Sequence, residues 1–290
     1  MKKHQYIKKK RRKYWHRFRI VLAIIFALIF CISAFFLLRD YLESRKEKSA
    51  FESLQELVSQ GTTGEPAQTS APSVHPDGSS TTPTSEESSE TVPTAPTELT
   101  MLPQYAPLYE QNADFFGWIS VDGMNINYPI MYSPYEPQFY LRKAFDKSYS
   151  HSGVPFLDAK CAPDGNCLLV YGHHMKDGTM FGHLTDYTEK DFYLSHQTIH
   201  LDTLYEQREY QVFAAFYCDV NEEASDENFL FYNYTNLTND EVYEEYIAKL
   251  RLATIYDADF EIETGTDILM LSTCSYHTSN GRFVVVAKRV

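Results

Sequence analysis

The sequence predicts a mainly β domain with short helices, an eight-stranded barrel, carried behind a single transmembrane helix and a disordered linker. Three features of the 290-residue chain predict this: one long uncharged apolar run near the start, a Ser/Thr/Pro-rich stretch after it, and eight short apolar or alternating segments in the remainder. The charge divides along the same lines. Of 26 Lys+Arg and 39 Asp+Glu, residues 1–48 hold 14 and 3, a local balance of +11, which leaves 12 and 36, or −24, for the rest. An acidic body excludes a general nucleic-acid binder, and no nucleic-acid partner is expected.

Residues 1–19 form a basic tail that includes KKKRRK at Lys8–Lys13, then Arg17 and Arg19. From Ile20 to Leu38, 19 residues carry no charge. A helix over them spans about 28 Å, near the thickness of a bilayer core. By the positive-inside rule the tail is cytoplasmic and the rest of this single-pass chain is extracytoplasmic at the cell membrane. A cleaved signal peptide is the alternative. The apolar run exceeds the usual h-region, and no A-x-A-type site follows it before Arg39 and Asp40. Residues 39–60 form a juxtamembrane segment in which Asp40–Gln60 is expected to continue as an amphipathic helix, with Phe51, Leu54, Leu57 and Val58 on one side. Residues 61–100 have almost no large apolar side chain with which to offset chain entropy, and read as a flexible linker of about 35 Å reach.

Residues 101–290 hold eight strand candidates: Gly117–Val121, Asn125–Met131, Val154–Asp158, Cys167–Gly172, Thr198–Leu204, Glu209–Tyr217, Asp267–Thr273 and Arg282–Lys288. One helix is well signed between the sixth and seventh of these, where Thr238–Glu241 reads as a capping box ahead of the stripe Val242, Tyr246 and Leu250.

Of five cysteines, Cys31 falls in the apolar run, and Cys161, Cys167, Cys218 and Cys274 fall in the β domain. No C-x-x-C pair exists, which removes zinc-ribbon and thioredoxin-type motifs. Cys161 and Cys167 flank a turn, and a disulfide across it stays open, since the sequence does not show the distance. Cys218 reads as a small buried hydrophobe. Cys274 ends an apolar strand where a polar loop begins, eight residues before Arg282. A thiol there can face a cleft, and a permanent cation on the next strand can stabilise a thiolate or a developing oxyanion. On spacing alone, a buried cysteine and a solvated arginine fit equally. A nucleophilic thiol also needs a proton carrier, and His173, after Gly172 at another strand end, is the best placed of ten histidines. His173 and His174 would face opposite ways on a continuing strand, and there is no H-E-x-x-H, so no metal and no cofactor are expected.

Tyr171-Gly-His173, Leu271-Ser-Thr-Cys274 and Gly281-Arg282-Phe-Val-Val-Val together resemble the three signature segments of the sortases, with details similar to class B. The resemblance covers residues 104–290 and includes Phe115-Phe-Gly-Trp-Ile near its start. It implies a sortase-type barrel and a Gram-positive cell-surface cysteine transpeptidase. In it Cys274 would form a thioester with a C-terminal sorting motif, and an amine of peptidoglycan or a pilin lysine would resolve it. His173 would move the proton and Arg282 would hold substrate and oxyanion. The same resemblance implies that Leu141, Tyr171, Ser272 and Thr273 line the substrate cleft, and that the loop from Asp219 to Leu237 shapes substrate choice. Ser275 departs from the family, several of whose members carry an acidic residue after the cysteine. Ordinary barrel packing is the competing account of the four cleft residues. A cysteine hydrolase with the same groups, or a non-catalytic surface binding protein, are the competing functions.

Overall fold

The computed structural model describes residues 2–63, 100–225 and 228–290. The chain divides into two compact units, Met1–Ser53 and Leu54–Val290. Most of the expected linker, residues 64–99, lies outside the described residues.

Helix α1 (Lys2–Thr63) runs unbroken through the apolar stretch and the juxtamembrane segment, and takes in the first three residues of the expected linker. Its apolar side chains from Ile20 to Leu38 are exposed all round, with Phe30 and Leu37 more than 70% accessible. Leaving that surface in water costs about 25 cal/mol per Å². By length and composition the helix is a candidate membrane span. At its far end, within the second unit, Gln55 Nε2 donates to Asn127 O (2.8 Å).

All eight expected strands form: β1 (Phe115–Val121), β2 (Asn127–Met131), β3 (Phe156–Leu157), β4 (Cys167–Tyr171), β5 (Thr198–Thr203), β6 (Gln207–Asp219), β7 (Ile268–Cys274) and β8 (Gly281–Arg289). They close into a barrel in the order β1-β2-β3-β4-β7-β8-β6-β5. Closure between β1 and β5 depends on a close approach. A Cβ at Gly117 would lie 2.0 Å from Asp202 O, so the strands meet only over a glycine. Irregular register between Val212 and Ala214 lets the long β6 bend and pair with both β5 and β8.

The apolar runs of β7 and β8 are continuous rather than alternating because both faces are covered. Ile268 to Thr273 and Phe283 to Ala287 are all buried. Helix α4 (Asp240–Ala253) buries Tyr243, Tyr246, Ile247 and Leu250, and Ile255 N, just beyond it, donates to Ala215 O of β6 (2.8 Å). The helix is where the sequence places it, but its cap is not. Asn239 is the N-cap and accepts from Val242 N at 3.1 Å, while Thr238 Oγ1 turns back to Asn236 Oδ1. Asn239→Ala should therefore lower stability by about 1 kcal/mol in urea unfolding. Thr238→Ala should cost clearly less, and equal effects would contradict this cap.

The short helices expected beside the barrel include α2 (Ala106–Gln111) and α3 (Lys190–Ser195), whose positions the sequence does not mark. Cys161 and Cys167 are free thiols: Cys161 Sγ accepts from Leu169 N (3.4 Å) and Cys167 Sγ donates to Tyr234 O (3.1 Å).

Candidate active site

The barrel register assembles one site from three neighbouring strands. β4 runs parallel to β7, and their last pair is Tyr171 with Ser272. β7 runs antiparallel to β8, with Cys274 opposite Arg282. Paired residues share a sheet face, and so do residues two apart. Tyr171, Ser272, Cys274 and Arg282 therefore lie on one face, and His173, two residues beyond Tyr171, follows them to the same end.

That end opens into a cleft of about 400 Å³ lined by Leu141, Tyr171, His173, Ser272, Thr273, Cys274 and Arg282, among others. All seven residues singled out in the sequence thus meet in one cavity. His174 does not line it, and instead its Nδ1 bonds to Cys274 O (3.0 Å).

The groups differ in how they are held. His173 is half-buried, and its Nε2 lies 2.9 Å from Leu141 O. A carbonyl only accepts, so Nε2 carries a proton and Nδ1 is the free nitrogen of the neutral ring. Burial lowers the His173 pKa from its ordinary value, the bond to Leu141 O opposes this, and the charges of Arg142 and His151 add to the lowering. Leu141 thus contributes its backbone as well as its side chain. Arg282 is half-buried, and its Nη1 donates to Gly281 O (2.9 Å). Among the described residues no carboxylate forms an ion pair with it, which leaves its charge available to a ligand.

Tyr171 OH donates to Asp158 Oδ2 (2.9 Å), and burial together with that carboxylate raises its pKa. Thr273 is buried with Oγ1 donated to Gly172 O (2.8 Å), whereas Ser272 is equally buried with Oγ unpartnered.

Burial also distinguishes the thiols. It pushes Cys161 and Cys218 up to about 12, and Cys167 well up, so none of them supplies a thiolate near neutrality. Cys274 is the half-exposed one, at the cleft. Among the described residues no group of three or more His, Cys, Asp or Glu is placed to hold a metal.

Several cleft residues have no sequence signal. Pro137 and Gln138 come from the β2–β3 connection, and Phe156 and Asp158 come from the expected strand at β3, which nothing marked as part of a site. Val220, Phe231 and Tyr232 come from the loop expected to shape substrate choice, of which residues 226 and 227 lie outside the described residues.

The sequence profile of the Sortase domain family matches residues 119–290, more than half of the chain. The chain belongs to the sortase family. Sortases are cysteine transpeptidases, and that is the class of this enzyme. Its relatives are of the B type. It is 25% identical over 276 residues to Sortase B of Staphylococcus aureus, covering 94% of this chain and 96% of that one. The fold is similar to that of a Staphylococcus aureus sortase B–substrate complex, with TM-score 0.65 and 24% identity over 86% of this chain and 98% of the other. A sortase B complexed with triglycine matches with TM-score 0.64 and 25% identity over 86% and 99%.

Proposed function

We propose that this sortase cleaves a C-terminal sorting motif of surface proteins through a thioester on Cys274 and transfers the acyl group to an amine of peptidoglycan or a pilin lysine. The observation that carries the proposal is the register that sets Cys274 between the His173 and Arg282 strands in one cleft. The substrate complex and the triglycine complex of similar sortases B support a peptide donor and an amine acceptor.

The Cys274 thiolate attacks the scissile carbonyl, and the oxyanion that forms meets the Arg282 guanidinium. The C–N bond breaks as His173 gives its proton to the leaving amine, which yields the thioester. The incoming amine then attacks, its proton passes to His173, and the Cys274 thiolate leaves as the new amide forms. Leu141, Tyr171, Ser272 and Thr273 bind the motif. Tyr171 is braced by Asp158, Ser272 offers an uncommitted hydroxyl, and Thr273 acts by holding the wall at Gly172. Residues 20–38 anchor the chain, the basic tail 1–19 stays cytoplasmic, the linker 61–100 tethers the head, and the catalytic domain 101–290 is extracytoplasmic. Exposure of the apolar run on α1 supports the anchor.

The test is the intact mass of the full chain in detergent after incubation with NPxTN-like, LPxTG-like and other PxTG-like peptides. The expected result is an adduct equal to the N-terminal peptide fragment, lost on adding triglycine with formation of an amide. Release of free acid in the presence of excess amine would favour a hydrolase. A folded protein that forms no adduct with any peptide, and whose Cys274 resists alkylation, would favour the binding protein.

A further inference from the structure

The β4–β7 ladder, which brings the segment carrying His173 to the strand of Cys274, stops short of both residues. Its last regular pair is Tyr171 with Ser272, closed by Gly172 N donating to Ser272 O at 3.1 Å. In a parallel ladder the next rung would join Gly172 O to the amide of residue 274, and the one after it would join the amide of residue 174 to Cys274 O. Side chains occupy both acceptors instead. Thr273 Oγ1 donates to Gly172 O (2.8 Å), and His174 Nδ1 reaches Cys274 O (3.0 Å). On the other side of the nucleophile, Ser275 N donates to Gly281 O (2.9 Å) on β8.

From this geometry we infer that His174 is a positioning residue for Cys274: its Nδ1–H takes the place of the missing ladder rung and holds the nucleophile's own carbonyl. A carbonyl only accepts, so His174 must present Nδ1–H, the reverse of His173, which presents Nε2–H to Leu141 O. Two adjacent imidazoles thus have separate duties, one facing the cleft and one behind the nucleophile. The His174 ring also packs edge-on to Tyr276, with centroids 5.3 Å apart, which fixes its plane. With Cys274 O tied to His174 in the segment after β4 and Ser275 N tied to β8, the peptide after the nucleophile is held from both flanks. The direction of the Cys274 side chain is then set without any contact to the thiol itself. Misplacement of a reacting atom by about 1 Å can cost about 100-fold in rate.

The inference rests on Cys274 being the nucleophile, and the experiment separates the two. His174→Asn keeps a side-chain N–H close to the Nδ1 position, and His174→Gln moves it towards Nε2. The full chain in detergent is assayed with a sorting-motif peptide and triglycine, with melting curves recorded for each form. The Gln form is expected to lose about 10- to 100-fold in kcat with KM little changed, and the Asn form to stay within about threefold of wild type. Equal loss in both, whether of fold or of rate, or no loss in either, would overturn the positioning role. A wild-type protein that forms no thioester would instead remove the proposed function beneath it.

Discussion

Replacing Cys274 with alanine is expected to abolish thioester formation and lower turnover of every sorting-motif peptide by about 10⁴-fold or more. The barrel should be nearly untouched, because the side chain is half-exposed at a strand end and truncating it removes one sulfur from a cleft rather than from the core. A melting temperature close to wild type should accompany the loss. Cys218→Ala should show the opposite pattern. Cys218 faces Arg282 from β6, but it is buried, and its thiol is pushed up to about 12 by that burial. Its truncation should cost about 1–2 kcal/mol of stability while leaving the adduct intact. Intact-mass spectrometry and thermal unfolding on the two variants check both halves. An adduct that survives in the Cys274 variant would mean that another group attacks the substrate.

His173→Ala should lower kcat/KM by about 10²- to 10⁴-fold, the range for loss of a general acid–base group. The pH profile carries the sharper test. Burial and the nearby cations disfavour the imidazolium, so His173 gives up its proton at a lower pH than a free imidazole does. In the proposed mechanism the active form has the thiolate and the imidazolium together. It holds one proton fewer than the form with both groups protonated, so kcat/KM rises with pH through the His173 ionisation. The acid limb should thus lie below the ordinary imidazole value of about 6.5. Arg142→Gln removes one of the cations and should move the limb to higher pH, towards that value. A limb that does not move with Arg142, or moves down, would contradict the electrostatic account of His173.

The strands were legible because each lies in an apolar or alternating run between turn residues, and β7 and β8 carry the strongest apolar runs. The three groups proposed to react were legible for a related reason. Each is a polar residue of a distinct chemical kind placed where such a run stops, and the register then aligns the three stops. The rest depended on contacts that leave no local trace. Asp158 enters the cleft as the hydrogen-bond partner of Tyr171, 13 residues away, and its place at the end of an expected strand does not mark it as part of a site. Pro137 and Gln138 lie on a wall without periodicity. The six-residue helices α2 and α3 are too short to show a repeat. Thr238 and Asn239 are both good capping residues, and only the path of the backbone decides that Asn239 takes the position. His174 has the same composition signal as its neighbour, and what separates them is which carbonyl each one meets.

The two side-chain rungs beside the nucleophile bridge positions 100 and 101 residues apart, from His174 to Cys274 and from Gly172 to Thr273. Contacts of that span carry a loop-closure cost that the tight hairpins β5–β6 and β7–β8 do not. The thiol and the imidazole are therefore neighbours only through pairing of segments far apart in the chain. A chain in which β4 and β7 are not yet paired holds the ingredients of an acyl-transfer enzyme without the site.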